Sequence, residues 1–235
     1  MTDSLFTPFT LRDTAIRNRV MLSPMCQYAS EDGLANDWHR VHLGTRAVGG
    51  AGVVLTEATA VEPRGRITPD CLGIWSDEHA AALEPIVEFV RSQGATPGIQ
   101  LAHAGRKASH AAPSAGSHAL SPDHEDGWET ISATDEPYPD DEPAATRRMD
   151  SGDIADVTRA FREAAERATD IGFEIAEVHA AHGYLLHQFL SPVTNDRDDE
   201  YGGSFENRTR LLREVVAAVR DVWPAGKPVF VRISA

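Results

Sequence analysis

The sequence predicts an α/β protein of parallel strands, a partial (β/α)8 barrel containing strands one to five. Five apolar, β-branched runs alternate with four amphipathic helical stretches, the pattern of right-handed βα units. Polar residues and glycines gather after the strands, at the end where such barrels do their chemistry. No Gly-x-Gly-x-x-Gly turn follows the first strand, which weakens the main alternative, an open doubly wound sheet.

The elements follow in order. Phe6, residues 9–11, Ala15 and Ile16 flank the turn-like Arg12-Asp13-Thr14 and predict a small hairpin capping one end of a larger body. Residues 19–28 read as a strand that stops at Pro24, because proline cannot donate to a central ladder. Asn36 or Asp37 caps a helix running to Gly49-Gly50. Residues 51–58 form a continuous apolar strand, and Ser76-Asp77 caps a helix through Leu83, Ile86, Val87 and Val90 to Gly94. Residues 96–105 make the third strand, ending in Gln100-Leu101-Ala102-His103.

Residues 106–149 are rich in Pro, Asp, Glu, Ser and Ala, too long for an ordinary βα connection and too acidic to pack. They predict a surface excursion with room for a lid. Asp153 begins an amphipathic helix with Ile154, Val157, Phe161, Ala164, Ala165 and Ala168 on one side. Residues 173–180 give the fourth strand. Ser204 caps a helix buried through Leu211, Leu212, Val215, Val216, Val219 and Val222, and residues 228–235 give the fifth strand.

With 235 residues and 41% hydrophobic content, the chain can bury a core as one domain. Its net charge of −14 opposes a nucleic-acid partner. Only Lys107 and Lys227 are lysines, an arginine bias that suits either a high-salt cytoplasm or a skewed base composition. Two cysteines, Cys26 and Cys71, no basic-then-apolar start and no long apolar run together predict a cytoplasmic protein.

The chemistry concentrates at Val178-His179-Ala180-Ala181-His182-Gly183-Tyr184. An offset of three breaks strand parity, so if His179 is the last inward strand residue, His182 comes from the following turn; a helical turn would instead place both on one face. Three readings stay open for these residues. They are hydrogen-bonded polar groups at a strand end, or zinc ligands with His187, or a pair of imidazoles donating to a developing oxyanion with Tyr184 as proton donor. The zinc reading lacks the Glu of a His-Glu-x-x-His motif and any cysteine cluster.

Four motifs coincide in order: Ser23-Pro24-Met25-Cys26-x-Tyr28, Gln100-Leu101-x-His103-x-Gly105-Arg106-Lys107, His179-Ala-Ala-His182-Gly183-Tyr184-Leu185, and the run from Asn195 and Arg197 through Tyr201-Gly202-Gly203-Ser204 to Asn207-Arg208. Together they resemble the Old Yellow Enzyme family, and Cys26 with Tyr28 is similar to its thermophilic-like class of NADPH dehydrogenases and ene-reductases. The resemblance spans the chain and makes residues 1–235 the N-terminal part of a single FMN-binding TIM-barrel domain. It implies FMN flanked by Ser23, Pro24, Met25, Cys26 and Ala60, with Gln100 on the pyrimidine edge and Arg232 near N1 and O2, where a permanent cation suits a reduced flavin. It further implies NAD(P)H as reductant and an activated alkene as small-molecule substrate. His179 and His182 would hold the substrate oxygen, Tyr28 would line its site, Tyr184 would protonate the α-carbon, and Cys26 would tune the flavin. No resident metal is implied. Lys107 also fits a solvated surface residue, and the Asn195 to Arg208 segment reads as structural.

A full barrel needs about 250 residues even with short loops, and the phosphate usually sits on loops after strands seven and eight. The chain is therefore expected to be truncated after its fifth strand; half of a split enzyme with a complementing C-terminal polypeptide, and a fragment of a longer chain, are the alternatives. Weak FMN binding by residues 1–235 alone is expected, and a homo-oligomer is expected of the complete protein. Two other functions compete: the N-terminal piece of a dienoyl-CoA or enoate reductase-type flavoenzyme, and a non-catalytic barrel fragment acting only by association through its strand edges.

Overall fold

The computed structural model describes residues 4–234. Residues 1–3, where the N-terminal stretch read above begins, and Ala235, which ends the fifth predicted strand, lie outside the described residues. A hairpin of β1 (Phe9–Leu11) and β2 (Thr14–Ile16) precedes a five-stranded parallel sheet. The sheet contains β3 (Met21–Leu22), β4 (Val53–Ala60), β5 (Thr96–Ala102), β8 (Ile175–Ala180) and β9 (Val229–Ile233), in that spatial order. Helices α1 (Asp37–Val48), α2 (Asp77–Ser92), α3 (Ser151–Asp170) and α5 (Phe205–Val222) carry the crossovers. No helix among the described residues is long and apolar enough to cross a membrane.

The helices start where their caps direct. Asn36 accepts from Trp38 N–H, and the His39 imidazole completes a capping box in place of the usual Glu. Helix α3 begins at Ser151, two residues before its expected start, because Asp150 is the N-cap and Asp153 reaches back to the cap backbone. Its buried stripe of Val157, Phe161, Ala164, Ala165 and Ala168 lies in one core cluster with Leu211, Val215 and Val219 of α5, as the apolar periodicity predicts. The Asn195 to Arg208 segment is structural as read: Asn195 Nδ2 donates to the Phe189 and Tyr201 carbonyls, Arg197 bonds the Met149 carbonyl, and Ser204 caps α5.

The interior is polarised along the strands. At their amino ends Ile16, Val53, Leu55 and Ile175 form a separate core, joined by Phe9, Leu11 and Phe230. The hairpin is thus a plug, and Arg17 fixes it by donating to the carbonyls of Ala47, Ala51 and Gln93. Polar side chains are therefore left to the carboxyl ends.

Two expectations need correction. The first strand is only two residues long, since the chain leaves the sheet even before Pro24. The acidic excursion packs: β6 (Thr130–Ser132) and β7 (Thr146–Arg148) pair in parallel, and Ile131, Ala133 and Met149 are fully buried in the main core. Composition misled because the acids are confined to residues 123–129 and 135–142, beside short segments that carry the buried residues. Ile131→Ala is expected to lower stability by about 2–5 kcal/mol in urea denaturation, as a core truncation does; a solvated loop would lose under about 0.5 kcal/mol.

Candidate active site

The sheet register brings the polar residues together. Gln100 of β5 pairs with Glu177 of β8, and His179 pairs with Arg232 of β9, so the four share the face turned away from the helices. Gln100 Nε2 donates to Glu177 Oε1 at 2.6 Å, and its amide oxygen takes no hydrogen bond from the described residues. Ser23 and Pro24 from the β3 edge, with Glu177 and Arg232 from the β8–β9 side, line one open trough of about 690 Å³.

His182 comes from the turn after β8, as strand parity requires, in the left-handed region at φ +60°. That strained turn is held from both sides: Ser234 Oγ accepts the His182 N–H at 3.0 Å, and Lys107 Nζ donates to the His182 carbonyl at 3.1 Å. Tyr184 is the N-cap residue of a short helix the sequence reading missed, α4 (Leu185–Leu190). The three rings meet nearly at right angles, with His179 to His182 at 5.0 Å, His179 to Tyr184 at 5.1 Å and His182 to Tyr184 at 6.3 Å between centroids. His187 Nδ1 accepts the Gly183 N–H at 3.0 Å, so this imidazole braces the turn.

Protonation states follow from burial and nearby cations. Burial, then His182 and the Arg232 guanidinium, push His179 down to about 3, so its ring is neutral at physiological pH. Its Nδ1 accepts the Ala181 N–H at 3.2 Å, which places the proton on Nε2 and leaves Nε2–H without an acceptor among the described residues. His182 is lowered as well, by burial, Arg232 and Lys107. Burial raises Tyr184, which keeps its phenolic proton. The Tyr184 hydroxyl and the Arg232 guanidinium likewise have no acceptor among the described residues. The result is a set of hydrogen-bond donors facing no protein acceptor, suited to an acceptor-rich ligand.

Cys26 and Tyr28 lie on the loop after β3, with Tyr28 at φ +51°. Burial pushes the Cys26 thiol up to about 12, so it stays protonated, and Tyr28 also rises to about 12. Met25 on the same loop is 43% exposed. Ala60 ends β4 beside Ala102 of β5, its backbone tied to Leu72 and Ile74. His103 belongs to the framework, its Nε2 donating to Glu62 Oε1 at 2.7 Å.

Three functional groups escaped the sequence reading. Glu177 stands in a strand that is apolar but for His179, which was a usable signal. Glu57, in the apolar run of β4, gave the same signal; its Oε2 accepts the Gln27 N–H at 3.0 Å and holds the Cys26–Tyr28 loop. Gln188 on α4 gave none, yet its buried amide joins the loops after β5 and β8 to β6. Lys107, read as fitting the surface, reaches the ring cluster, its ammonium 5.0 Å from the Tyr184 centroid.

Residues 4–235 match the model of a family described as NADH:flavin oxidoreductase / NADH oxidase. The chain is 46% identical over 237 residues to an NADPH dehydrogenase of Geobacillus sp. (strain WCH70), an alignment covering all of this chain and 64% of that protein. It superposes on morphinone reductase with a TM-score of 0.86 at 31% identity, covering 99% of this chain and 62% of that one. The Old Yellow Enzyme from Pichia sp. AKU4542 gives 0.86 at 29% identity, covering 99% and 60%. The chain thus spans about two thirds or less of the length of each.

Two outcomes follow from the site. Gln188→Leu leaves its partners unsatisfied and is expected to lower stability by about 2–4 kcal/mol in urea denaturation. His179 takes its proton near 6.5 when unfolded and near 3 when folded, so its contribution is complete above pH 6.5 and lost as pH falls toward 3. His42 and His182 shift the same way. His179→Gln should flatten the fall in urea midpoint between pH 6.5 and about 4.5, above the range where most carboxylates titrate. An unchanged slope would mean that His179 is not held neutral.

Proposed function

Since the chain belongs to the NADH:flavin oxidoreductase / NADH oxidase family, we propose that it forms part of a single FMN-binding barrel domain whose activity is NAD(P)H-dependent reduction of activated alkenes. The observation that carries this reading is the donor set of His179 Nε2–H, neutral His182, Tyr184 and Arg232, gathered at the strand ends without acceptors among the described residues. These residues fit FMN. The guanidinium of Arg232 suits the negative charge of a reduced flavin near N1 and O2, and the uncommitted amide oxygen of Gln100 suits an N–H on the pyrimidine edge. Ser23, Pro24, Met25, Cys26 and Ala60 would line the ring. Bound FMN would supply hydride transfer from NAD(P)H and on to the alkene.

The protein groups have distinct tasks. His179 and His182 donate hydrogen bonds to the substrate oxygen, which stabilises negative charge developing there. Their neutrality matters: an imidazolium pair would repel the two cations beside it. Tyr184, protonated at neutral pH and set perpendicular to both imidazoles, delivers a proton to the α-carbon. Tyr28 lines the substrate site, and Cys26 acts as a neutral thiol that tunes the flavin.

The partner reading rests on the sheet. Edge strands β3 and β9 expose Met21, Val231 and Ile233. Further parallel strands, from the remainder of a longer chain, a complementing polypeptide or within a homo-oligomer, are proposed to pair with them. The free thiols Cys26 and Cys71 support a reducing, cytoplasmic setting.

The test is the visible spectrum of the chain after adding FMN and removing the excess, with and without the C-terminal third of the Geobacillus relative. We expect little flavin retained by the chain alone and about one per chain in the mixture. Arg232→Met should then weaken retention about tenfold or more, and Tyr184→Phe should slow alkene reduction while leaving flavin reduction by NADPH intact. A mixture that assembles and stays colourless would overturn the reading.

A further inference from the structure

Lys107 is one of two lysines in the chain, and the two are treated differently. Lys227 has a carboxylate partner, Glu174, at 3.3 Å. Lys107 has none within 4 Å among the described residues, although the chain carries 36 acidic side chains. Its ammonium donates one hydrogen bond, to the His182 carbonyl at 3.1 Å, and lies between two rings, 5.0 Å from the Tyr184 centroid and 5.1 Å from that of Tyr138. Aromatic faces attract a cation but do not neutralise it. Burial holds its pKa below the ordinary lysine value, with no carboxylate raising it back. Of the acids near Tyr138 in sequence, Asp135 pairs with Arg148, Asp140 accepts the Ala119 N–H and faces His110, and the Glu136 carboxylate lies beyond 4 Å of the ammonium.

Tyr138 comes from the long excursion and is fixed there. Arg106 Nη1 donates to the Glu136 and Pro137 carbonyls, and the His110 ring meets Tyr138 edge-on at 6.2 Å. The excursion thus brings a ring across the loop after β5 to hold the ammonium at the edge of the histidine–tyrosine cluster.

We propose that Lys107 is a specificity-determining residue that docks a carboxylate carried by the substrate, and that Tyr138 is the residue that positions it. The substrate class is then an unsaturated carbonyl compound bearing a separate carboxylate, its carbonyl oxygen on His179 and His182 and its carboxylate on the two N–H groups that Lys107 has left. This rests on the alkene-reducing reading above. A half-buried ammonium with two free N–H groups gains more from an ionic acceptor than from a neutral one.

The probes are 4-oxo-4-phenylbutanoate, a saturated compound that cannot be reduced or alkylate a thiol, and its neutral amide. Calorimetry with the barrel closed as above is expected to show the acid binding about tenfold more tightly than the amide. Lys107→Met should abolish that preference and Lys107→Arg keep it, so a folding defect in the first variant is told apart from lost charge. Tyr138→Phe should keep the preference and Tyr138→Ala reduce it about threefold. Equal affinity for acid and amide, or a preference that survives Lys107→Met, overturns the proposal. Flavin retention is read on the same samples: its loss sinks the parent reading, whereas flavin-loaded protein without acid preference sinks only this one.

Discussion

The side-chain amide of Gln188 is 1% exposed and uses all four of its hydrogen-bonding positions. It donates to the Gly183 and Ala104 carbonyls and accepts from Ser132 Oγ and the Arg106 N–H. These partners lie on the turn carrying His182, the loop carrying Lys107, and β6 of the excursion. Fixing one loop therefore fixes the other two. Gly105 is part of the same constraint, since it adopts φ +62° and any side chain there would overlap the Gln188 amide. A fully satisfied buried amide is directional in a way that apolar packing is not, so it sets the height and rotation of the loops.

Charge at this end of the barrel runs against charge in the whole. The chain is strongly acidic, but Arg232 and Lys107 flank the cluster while its imidazoles are held neutral. Burial is the largest cause of the shift at His179, His182 is the next, and the two cations deepen it. The site is a small basin of positive potential with movable protons removed from its imidazoles. Such a basin attracts electron-rich ligands and donates to them without first losing a proton to solvent.

The framework was legible in the sequence because its signals are local. Apolar runs of the right length, caps such as Asn36 and Ser204, and helix-ending glycines specify elements regardless of what they pack against. The turn placement of His182 was legible from parity alone. What escaped depends on contacts across the fold. Helix α4 is six residues long, too short for its period to stand out. Gln188 reads as an ordinary polar residue until its partners, three of them 56 to 84 positions away, are known. Ile131 and Met149 sit in an acidic stretch whose mean composition hides them, and Lys107 reads as surface because its neighbours are rings from residues 31 and 77 positions away.

The two edges of the sheet line one trough. Ser23 and Pro24 follow β3 at one edge, and Arg232 lies in β9 at the other, with three strands between them. Their separation is set by how tightly the sheet curls, which no single residue fixes. A ligand touching both edges must therefore favour one curvature, and anything that pairs with β3 and β9 must favour one as well. If the two preferences agree, ligand binding and edge pairing strengthen each other by the same factor, because the coupling is reciprocal. The amino ends of the strands do not share this freedom: Arg17 and the plug of Ile16, Val53, Leu55 and Ile175 hold them. The amino ends of the strands are thus held by contacts within the chain, whereas the spacing of Ser23, Pro24 and Arg232 at the other end rests on the curvature of the sheet.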